Sequence, residues 1–295
     1  MILVTGATGR VGFHLLEQLS DADVRATAMV RVEARAGDLP SGVDHVVATL
    51  DGPPPADVLR QFDEIFLLSP ALEQQVDLEL GFLDALVAAG HRPHVVKLAA
   101  DGFQDPDCHV GFMRNHRLIA RHLDGLDLPA TYLAPTLYME NLLHLAEILR
   151  TDATLPVPAA EGRVGAVATS DVAAVAAHTL TTPGHEDRIY TVTGPESLGF
   201  AEVADRISAV FAGTVEYDDL PPARFRHRLE TNGLSGWYVE SLLDLFEWIR
   251  GGGEDTVTDE VRKATDTEPR PLEDWLSELR GAFVGRPAET PVPQL

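Results

Sequence analysis

The sequence is poor in cysteine and lysine, and it has no long apolar run. The single cysteine, Cys108, cannot form a disulfide within the chain, which is typical of a reducing compartment. Lys97 and Lys263 are the two lysines, so nearly all of the 23 basic residues are arginine. No apolar segment reaches the roughly 20 residues of a transmembrane helix, and the first residues are typical of a strand rather than a charged leader. These features predict a cytoplasmic protein.

The charge of the chain restricts its partners. The 295 residues include 46 acidic and 23 basic side chains, a formal net charge of −23, while 45% of residues are hydrophobic. Nucleic acids and anionic membranes both present negative charge, so this balance argues against either partner. We therefore expect a globular protein that binds a small molecule, as a monomer or a homodimer.

The first twelve residues contain the most informative motif of the chain. A short apolar run at residues 2–4 leads into glycines at every third position, Gly6, Gly9 and Gly12, and an amphipathic helix follows. A strand that turns sharply into a helix presents free N–H groups and a positive helix dipole, which suit a dinucleotide pyrophosphate. The alternative is a purely structural turn. The predicted cofactor-binding residues of this turn are Gly6, Thr8, Gly9, Arg10, Val11 and Gly12.

The end of the second predicted strand indicates which dinucleotide binds. Enzymes that use NAD usually carry an acidic residue there, which binds the ribose 2′-hydroxyl, whereas arginine accommodates the 2′-phosphate of NADP. This strand ends at Arg31, and the nearest acid, Glu33, comes two residues later. Arg10 is a second cation within reach of the same phosphate. NADP(H) is thus the preferred cofactor, with NAD(H) as the alternative.

The pattern of apolar segments predicts an α/β fold, a Rossmann-type doubly wound parallel sheet. In the first half, strands are expected at residues 2–4, 24–30, 43–48, 64–68, 94–98 and 130–133, and helices at 72–89 and 112–123. The second half shows strand patterns at 165–168, 189–192 and 215–217 among helices that include 171–180 and 200–211. We divide the chain into a dinucleotide-binding domain (1–150), a smaller, mostly helical substrate-covering portion (151–286) that shares strands with the sheet, and a flexible tail (287–295).

Several segments resemble the NmrA-like atypical short-chain dehydrogenases, a group similar to bacterial NAD(P)H:quinone oxidoreductases and plant isoflavone-reductase-type enzymes. The resemblance rests on TGATGRVG at 5–12, AMVR at 28–31, FLLSP at 66–70, VVKLAADG at 95–102 and TYLAPTLYMENLL at 131–143. It implies that Leu68, Ser69, Pro70 and Ala99 also lie at the cofactor. It further implies that Tyr138, Met139 and Asn141 line the substrate pocket.

The resemblance also exposes a departure at the catalytic positions. Extended relatives use a serine and a Tyr-x-x-x-Lys pair, where this chain has Ala99, Phe112 and His116. His116 is the first candidate for the proton donor or for a ligand of the ribose. The alternative is that His116 only lies on the helix surface or caps the helix. Two further catalytic candidates are Asp101 and Tyr138. The alternatives are that Asp101 caps the loop after its strand and that Tyr138 only packs in the core. Lys97 lies within a strand and needs a carboxylate partner or the cofactor nearby.

Together these observations predict an NADP-dependent oxidoreductase that passes a hydride to a quinone or a conjugated aromatic or enone molecule. One alternative is a redox sensor that binds NADP(H) without turnover. Another is non-redox chemistry on a polyketide-like ligand. We expect no metal, since His91 and His94 lack a completing ligand cluster.

Overall fold

The computed structural model describes residues 1–211 and 213–279, which form eleven strands and eleven α-helices. The strands are β1 (Ile2–Val4), β2 (Ala26–Val30), β3 (Asp44–Val47), β4 (Glu64–Leu67), β5 (His94–Leu98), β6 (Ala130–Pro135), β7 (Thr154–Val157), β8 (Arg163–Val164), β9 (Arg188–Val192), β10 (Leu198–Gly199) and β11 (Glu216–Asp219).

The helices of the first half are α1 (Arg10–Asp21), α2 (Ala56–Leu59), α3 (Gln75–Ala88), α4 (Gly111–Gly125) and α5 (Ala146–Thr151). Those of the second half are α6 (Thr169–Thr181), α7 (Phe200–Phe211), α8 (Pro222–Thr231), α9 (Gly236–Arg250), α10 (Glu260–Thr265) and α11 (Leu272–Glu278). Two 3-10 helices span Glu33–Asp38 and Met139–Leu145. Within the described residues, no helix combines the length and apolar character needed to cross a bilayer.

Seven parallel strands form the central sheet, in the spatial order β3-β2-β1-β4-β5-β6-β9. The chain order reverses between β1 and β4, which makes this the topological switch point of a doubly wound sheet. Ligands of such sheets bind beyond the carboxyl ends of the strands at this point. The predicted fold class is therefore confirmed, and the glycine turn after β1 lies at the expected place.

The sheet separates two apolar cores. On one face, α3 and α4 contribute Phe82, Leu83 and Ile119. On the other face, α1 and α6 contribute Leu15 and Val172. Both faces of the inner strands are thus covered, which explains their nearly continuous apolar sequences.

Some predicted elements differ from the structure. The strand predicted at 165–168 was wrong: the pairing segment is β8, and beyond it a single bridge joins Val167 to Tyr138. A Cβ atom on Gly165 would lie 2.1 Å from the carbonyl oxygen of Thr256, so another loop already occupies the flank where a partner strand would lie. The prediction also missed β7, which contains Pro156 and pairs with β11 alone.

The predicted boundary at residue 150 does not interrupt the sheet. Helix α6 packs against α1, and β9 adds the seventh strand beside β6. One strand of the central sheet therefore comes from beyond residue 150. The predicted tail at 287–295 lies outside the described residues.

Two buried carboxyl groups attach the second half of the chain to the sheet. Glu140 accepts hydrogen bonds from Thr169, through its N–H (3.1 Å) and Oγ1 (2.7 Å), and from Trp275 Nε1 (3.2 Å). Glu254, only 2% exposed, accepts from the N–H of Leu137 at 3.0 Å. Burial, and then the charge of Asp101, raise the pKa of Glu254 well above its ordinary value of 4.5, although the Leu137 N–H opposes this shift.

The raised pKa of Glu254 predicts that stability falls as pH rises above about 4.5. In that range the unfolded chain releases the Glu254 proton while the folded chain retains it, so each pH unit lowers the free energy of unfolding by up to about 1.4 kcal/mol. Glu254→Gln keeps an acceptor for Leu137 and removes the ionisation. Thermal unfolding between pH 5 and 8 should therefore show a flatter pH dependence and a higher Tm at pH 8 in the variant. Asp152→Asn, at an exposed position, is the control, and equal pH profiles for Glu254→Gln and wild type would contradict this account.

Candidate active site

A threonine joins the strands on either side of the switch point. Thr5, directly after β1, donates its hydroxyl to the carbonyl of Leu68 (2.8 Å) and accepts the Leu68 N–H (2.7 Å). Thr5 is fully buried, so these bonds are shielded from water. They hold the glycine turn after β1 beside the segment that follows β4.

Close contacts require glycine at the first and third of the three glycine positions in the turn. Gly6 has a φ of +60°, and a Cβ there would lie 2.7 Å from Leu68 Cγ. The Gly9 N–H donates to the Gly6 carbonyl at 2.9 Å. A Cβ on Gly12 would lie 2.4 Å from that same carbonyl oxygen, so only glycine lets α1 approach the turn.

The start of α1 has the features of an anion site. The N–H groups of Arg10, Val11 and Gly12 have no acceptor within the helix, and no acidic residue lies in its first turn. Thr8 is half-buried beside them, whereas the Val11 side chain packs in the core, so Val11 offers its backbone alone. The cradle fits a dinucleotide pyrophosphate, since its small residues permit close approach and its N–H groups await acceptors.

Two arginines flank this cradle without a carboxylate partner among residues 1–211 and 213–279. Arg10 begins α1, and Arg31 is exposed directly after β2. Glu33 lies further along and faces His45, whose Nε2 is 3.1 Å from Glu33 Oε1. The acid that could have bound a ribose hydroxyl is therefore engaged elsewhere, while both guanidinium groups remain available.

The residues of the segment after β4 differ in burial and in hydrogen bonding. Leu68 packs over Gly6, and Pro70 is exposed. Ser69 is buried and turns its hydroxyl inward, donating to Glu79 Oε1 at 2.6 Å. Ala99, at the end of β5, is buried and donates its N–H to the Leu133 carbonyl at 2.7 Å. Ser69 and Ala99 can thus offer a ligand only backbone or apolar surface.

The structure supplies the partner that Lys97 required. Its Nζ lies 2.9 Å from Glu79 Oε2, and both side chains are buried. Burial lowers the pKa of Lys97 from its ordinary value of 10.5, and the Glu79 carboxylate opposes this shift. Sequence reasoning missed Glu79, although helical spacing to Phe82, Leu83 and Leu86 marks it as a residue of the buried face of α3.

His116 lies on α4 within the electrostatic field of Lys97. Its Nδ1 is buried and has no hydrogen-bond partner in the described part of the chain, while the residue as a whole is half-buried. Burial, and then the charge of Lys97, lower the pKa of His116 well below 6.5. The imidazole is therefore neutral at pH 7, with one ring nitrogen unsatisfied.

Phe112 occupies a helical turn before His116 and belongs to an aromatic group. Its ring meets those of Trp237 (5.5 Å between centroids) and Tyr238 (5.2 Å), both in edge-on geometry. Helix α9, which carries these two residues, lies close to α4: a Cβ on Gly111 would be 2.2 Å from Ser241 Oγ. Burial raises the pKa of Tyr238 to about 12. The group is thus an uncharged aromatic wall beside α4.

The remaining predicted catalytic residues lie after β5 and β6. Asp101 is half-buried, its N–H donates to the Pro135 carbonyl at 2.9 Å, and burial raises the pKa of its carboxyl group. Tyr138 is half-buried beside Val167, and burial followed by the charge of Glu140 raises the pKa of its phenol. Both groups are thus held toward their protonated forms.

Of the predicted substrate contacts, Met139 is 2% exposed and packs in the core, whereas Asn141 is half-buried. The same 3-10 helix carries His144, whose pKa is lowered by burial and then by the charge of Arg10.

His91 and His94, which the sequence analysis considered as metal ligands, form hydrogen bonds within the fold. His94 Nδ1 lies 2.7 Å from Glu64 Oε2, and its Nε2 lies 2.8 Å from Thr131 Oγ1. A different trio, His109, Asp244 and Glu247, comes close enough to share a cation, on the outer surface of α9 and the loop before α4. Nothing further at that trio indicates a bound ion.

A series of contacts leads from the glycine turn to the buried ion pair. Leu68 packs over Gly6, the adjacent Ser69 binds Glu79, and Glu79 pairs with Lys97. The structure thus brings the predicted turn and the post-β4 segment to one edge of the sheet, and the charge of Lys97 contributes to the lowered pKa of His116 on α4.

Known proteins resemble this chain over nearly its whole length. It is 31% identical over 296 residues to (4-alkanoyl-5-oxo-2,5-dihydrofuran-3-yl)methyl phosphate reductase of Streptomyces griseus subsp. griseus, covering 96% of this chain and 99% of that protein. It is 28% identical over 286 residues to NAD(P)H azoreductase of Xenophilus azovorans, again covering 96% and 99%. Among solved structures, the NADPH-dependent quinone oxidoreductase of Escherichia coli, in complex with NADPH, has the same fold, with a TM-score of 0.85, 22% identity, and 95% and 100% coverage.

The model of the NmrA-like family matches residues 1–276, which include the glycine turn, the post-β4 segment and helix α9. The resemblance inferred from short motifs therefore extends through both portions of the molecule, and this chain belongs to the NmrA-like family.

Proposed function

We propose that this protein is an NADP(H)-dependent oxidoreductase that passes a hydride to a quinone or a conjugated aromatic or enone small molecule. The observation that carries the proposal is the glycine cradle at the switch point, flanked by the unpaired Arg10 and Arg31. The names of its relatives, a phosphate-bearing furanone reductase and an NAD(P)H azoreductase, support reduction as the reaction class.

The cofactor would be held mainly by backbone and arginine. The N–H groups of Arg10 to Gly12 would bind the pyrophosphate, and the guanidinium groups would bind the 2′-phosphate in forked geometry. When bound, the nicotinamide supplies a hydride equivalent from its C4 atom. The protein then has to orient the acceptor over that atom and limit the access of water.

The missing tyrosine acid favours acceptors whose reduced form is a weak base. Reduction of a simple ketone produces an alkoxide, whose conjugate acid is about as weak as water, with a pKa of ~15.7. Reduction of a quinone produces a phenolate-like anion, whose conjugate acid has a pKa near ~10. At 1.36 kcal/mol per pKa unit, the difference is about 8 kcal/mol of charge stabilisation that the site need not provide. Phe112, in place of tyrosine, is compatible with the quinone-like acceptor and not with the ketone.

The state of His116 supports a hydrogen-bonding role in this reaction. A neutral imidazole donates from one ring nitrogen and accepts at the other, and it can orient a ribose hydroxyl or an acceptor oxygen. The second proton of the hydroquinone would then come from water after the hydride has been transferred. Asp101 and Tyr138 remain candidates for relaying that proton, and Asn141 for contacting the acceptor.

The first prediction concerns cofactor choice. Arg31→Ala should raise the Kd for NADPH by about 10- to 100-fold, the loss of a charge-assisted hydrogen bond, and change the Kd for NADH by less than about threefold. Isothermal titration calorimetry with both cofactors measures this difference. Arg25→Ala is the matched control, since Arg25 is exposed before the opposite end of β2. Equal losses for NADPH and NADH would contradict the assignment of Arg31.

The second prediction concerns turnover. Under anaerobic conditions, the protein should oxidise NADPH, followed at 340 nm, in the presence of a quinone panel, and His116→Ala should lower kcat/KM by about tenfold. His122→Ala, on the same helix but engaged with Asp84 of α3, should leave kcat/KM unaltered.

The pH dependence of this reaction distinguishes the roles of His116. Because the imidazole is neutral, kcat should not change through pH 6.5. A rate that rises below pH 6.5, and only when His116 is present, would identify it as a proton donor instead. Tight NADPH binding with no turnover on any acceptor would favour the sensor and contradict the enzyme.

A further inference from the structure

An ion pair lies fully inside the protein beneath the candidate site. Lys97 is 1% exposed and Glu79 is 0% exposed, and Nζ lies 2.9 Å from Oε2 and 3.1 Å from Oε1. Lys97 comes from the centre of the sheet, on β5, and Glu79 from the covering helix α3. The pair therefore joins two layers of the fold at the level where β4 and β5 end.

The remaining bonds of the pair are directed at the post-β4 segment and the start of α3. Glu79 Oε1 accepts from Ser69 Oγ (2.6 Å) and from Gln75 Nε2 (3.1 Å). Lys97 also donates to the carbonyl of Leu98, the last residue of β5. Ser69 follows Leu68, which packs over Gly6 of the glycine turn. The pair is thus connected by direct contacts to the cradle.

Stability alone does not explain such a pair. Removing two charges from water is costly, and an apolar pair of similar volume often stabilises a fold equally well. The Lys97–Glu79 pair is nevertheless buried beside the apolar core that includes Phe82, Leu83 and Val95. This burial indicates a role of the pair at the neighbouring site.

We infer that Lys97 and Glu79 are positioning residues for the candidate site: their ion pair anchors the Ser69 turn, and with it Leu68, beside the glycine cradle. This inference rests on the proposed function. It assigns Lys97 no contact with the reacting atoms, since its ammonium group is already engaged by Glu79 and Leu98.

The test compares a charge-free pair with the natural one. Lys97→Met combined with Glu79→Gln removes both charges, keeps similar volumes, and leaves an amide oxygen for Ser69. The other lysine, Lys263, is paired with Asp259 and Glu260 on α10 and is half-exposed, so Lys263→Met is the matched control.

The direct readout is the Kd for NADPH by calorimetry, measured beside KM and kcat for NADPH oxidation. In the Lys97→Met/Glu79→Gln protein a neutral amide replaces a charge-assisted acceptor of Ser69, so the Kd for NADPH should rise about threefold. The KM for NADPH should rise in parallel while kcat at saturating NADPH changes by less than about twofold, and Lys263→Met should alter none of these values.

A second pair of changes tests the anchoring of the turn. Lys97→Met with Glu79→Leu also removes the acceptor of Ser69, so the Kd for NADPH should rise about fivefold beyond that of the Lys97→Met/Glu79→Gln protein. Equal Kd values for these two proteins would contradict the anchoring role. A wild-type Kd for NADPH in the Lys97→Met/Glu79→Gln protein would contradict the need for the charged pair.

Ser69→Ala keeps the inference falsifiable if neither double variant folds, because it removes the same hydrogen bond and leaves the ion pair in place. Its Kd for NADPH should rise about fivefold, and an unchanged Kd would overturn the anchoring role. Failure of the proposed function is distinguishable, because it appears as absent NADPH binding by calorimetry in the wild type.

Discussion

The close approach of α1 to the turn that precedes it is the contact on which the site depends. The α-carbon of Gly12 lies so near the Gly6 carbonyl that a Cβ atom would come within 2.4 Å of the oxygen. This contact aims the free N–H groups of the first helical turn at the switch point of the sheet. Thr5 fixes the same turn to the post-β4 segment, so the cradle and its neighbour form one rigid unit.

From that unit, an ordered series of polar contacts leads into the interior. Ser69 donates its hydroxyl to Glu79 rather than presenting it to the expected ligand, and Glu79 pairs with Lys97 of β5. Where extended relatives place tyrosine and lysine, this chain has Phe112 within an aromatic wall and His116 as a neutral imidazole. On the proposed function, such a site would orient a planar acceptor better than it would protonate one.

Much of the molecule could be predicted from local sequence, and the rest required contacts between distant residues. The glycine spacing and the alternating apolar segments were enough for the sheet and the cradle, because both depend on local periodicity. The role of Glu79 could also have been predicted, since Glu79 shares a helical face with Phe82 and Leu86 and a lysine in a buried strand needs a carboxylate partner. The bond between Glu254 and Leu137 joins residues 117 positions apart, and no local pattern indicates it. The false strand at 165–168 failed for the same reason, because the Thr256 loop that excludes pairing is remote in sequence.

The central claim, that a dinucleotide lies over the glycine turn, is tested most directly by a crystal structure of the protein grown with NADP⁺. The account predicts pyrophosphate oxygens within hydrogen-bond distance of the Arg10, Val11 and Gly12 N–H groups, the 2′-phosphate beside Arg31, and the nicotinamide near His116. A dinucleotide bound away from the β1–α1 turn, or a turn occupied only by solvent at saturating NADP⁺, would contradict it.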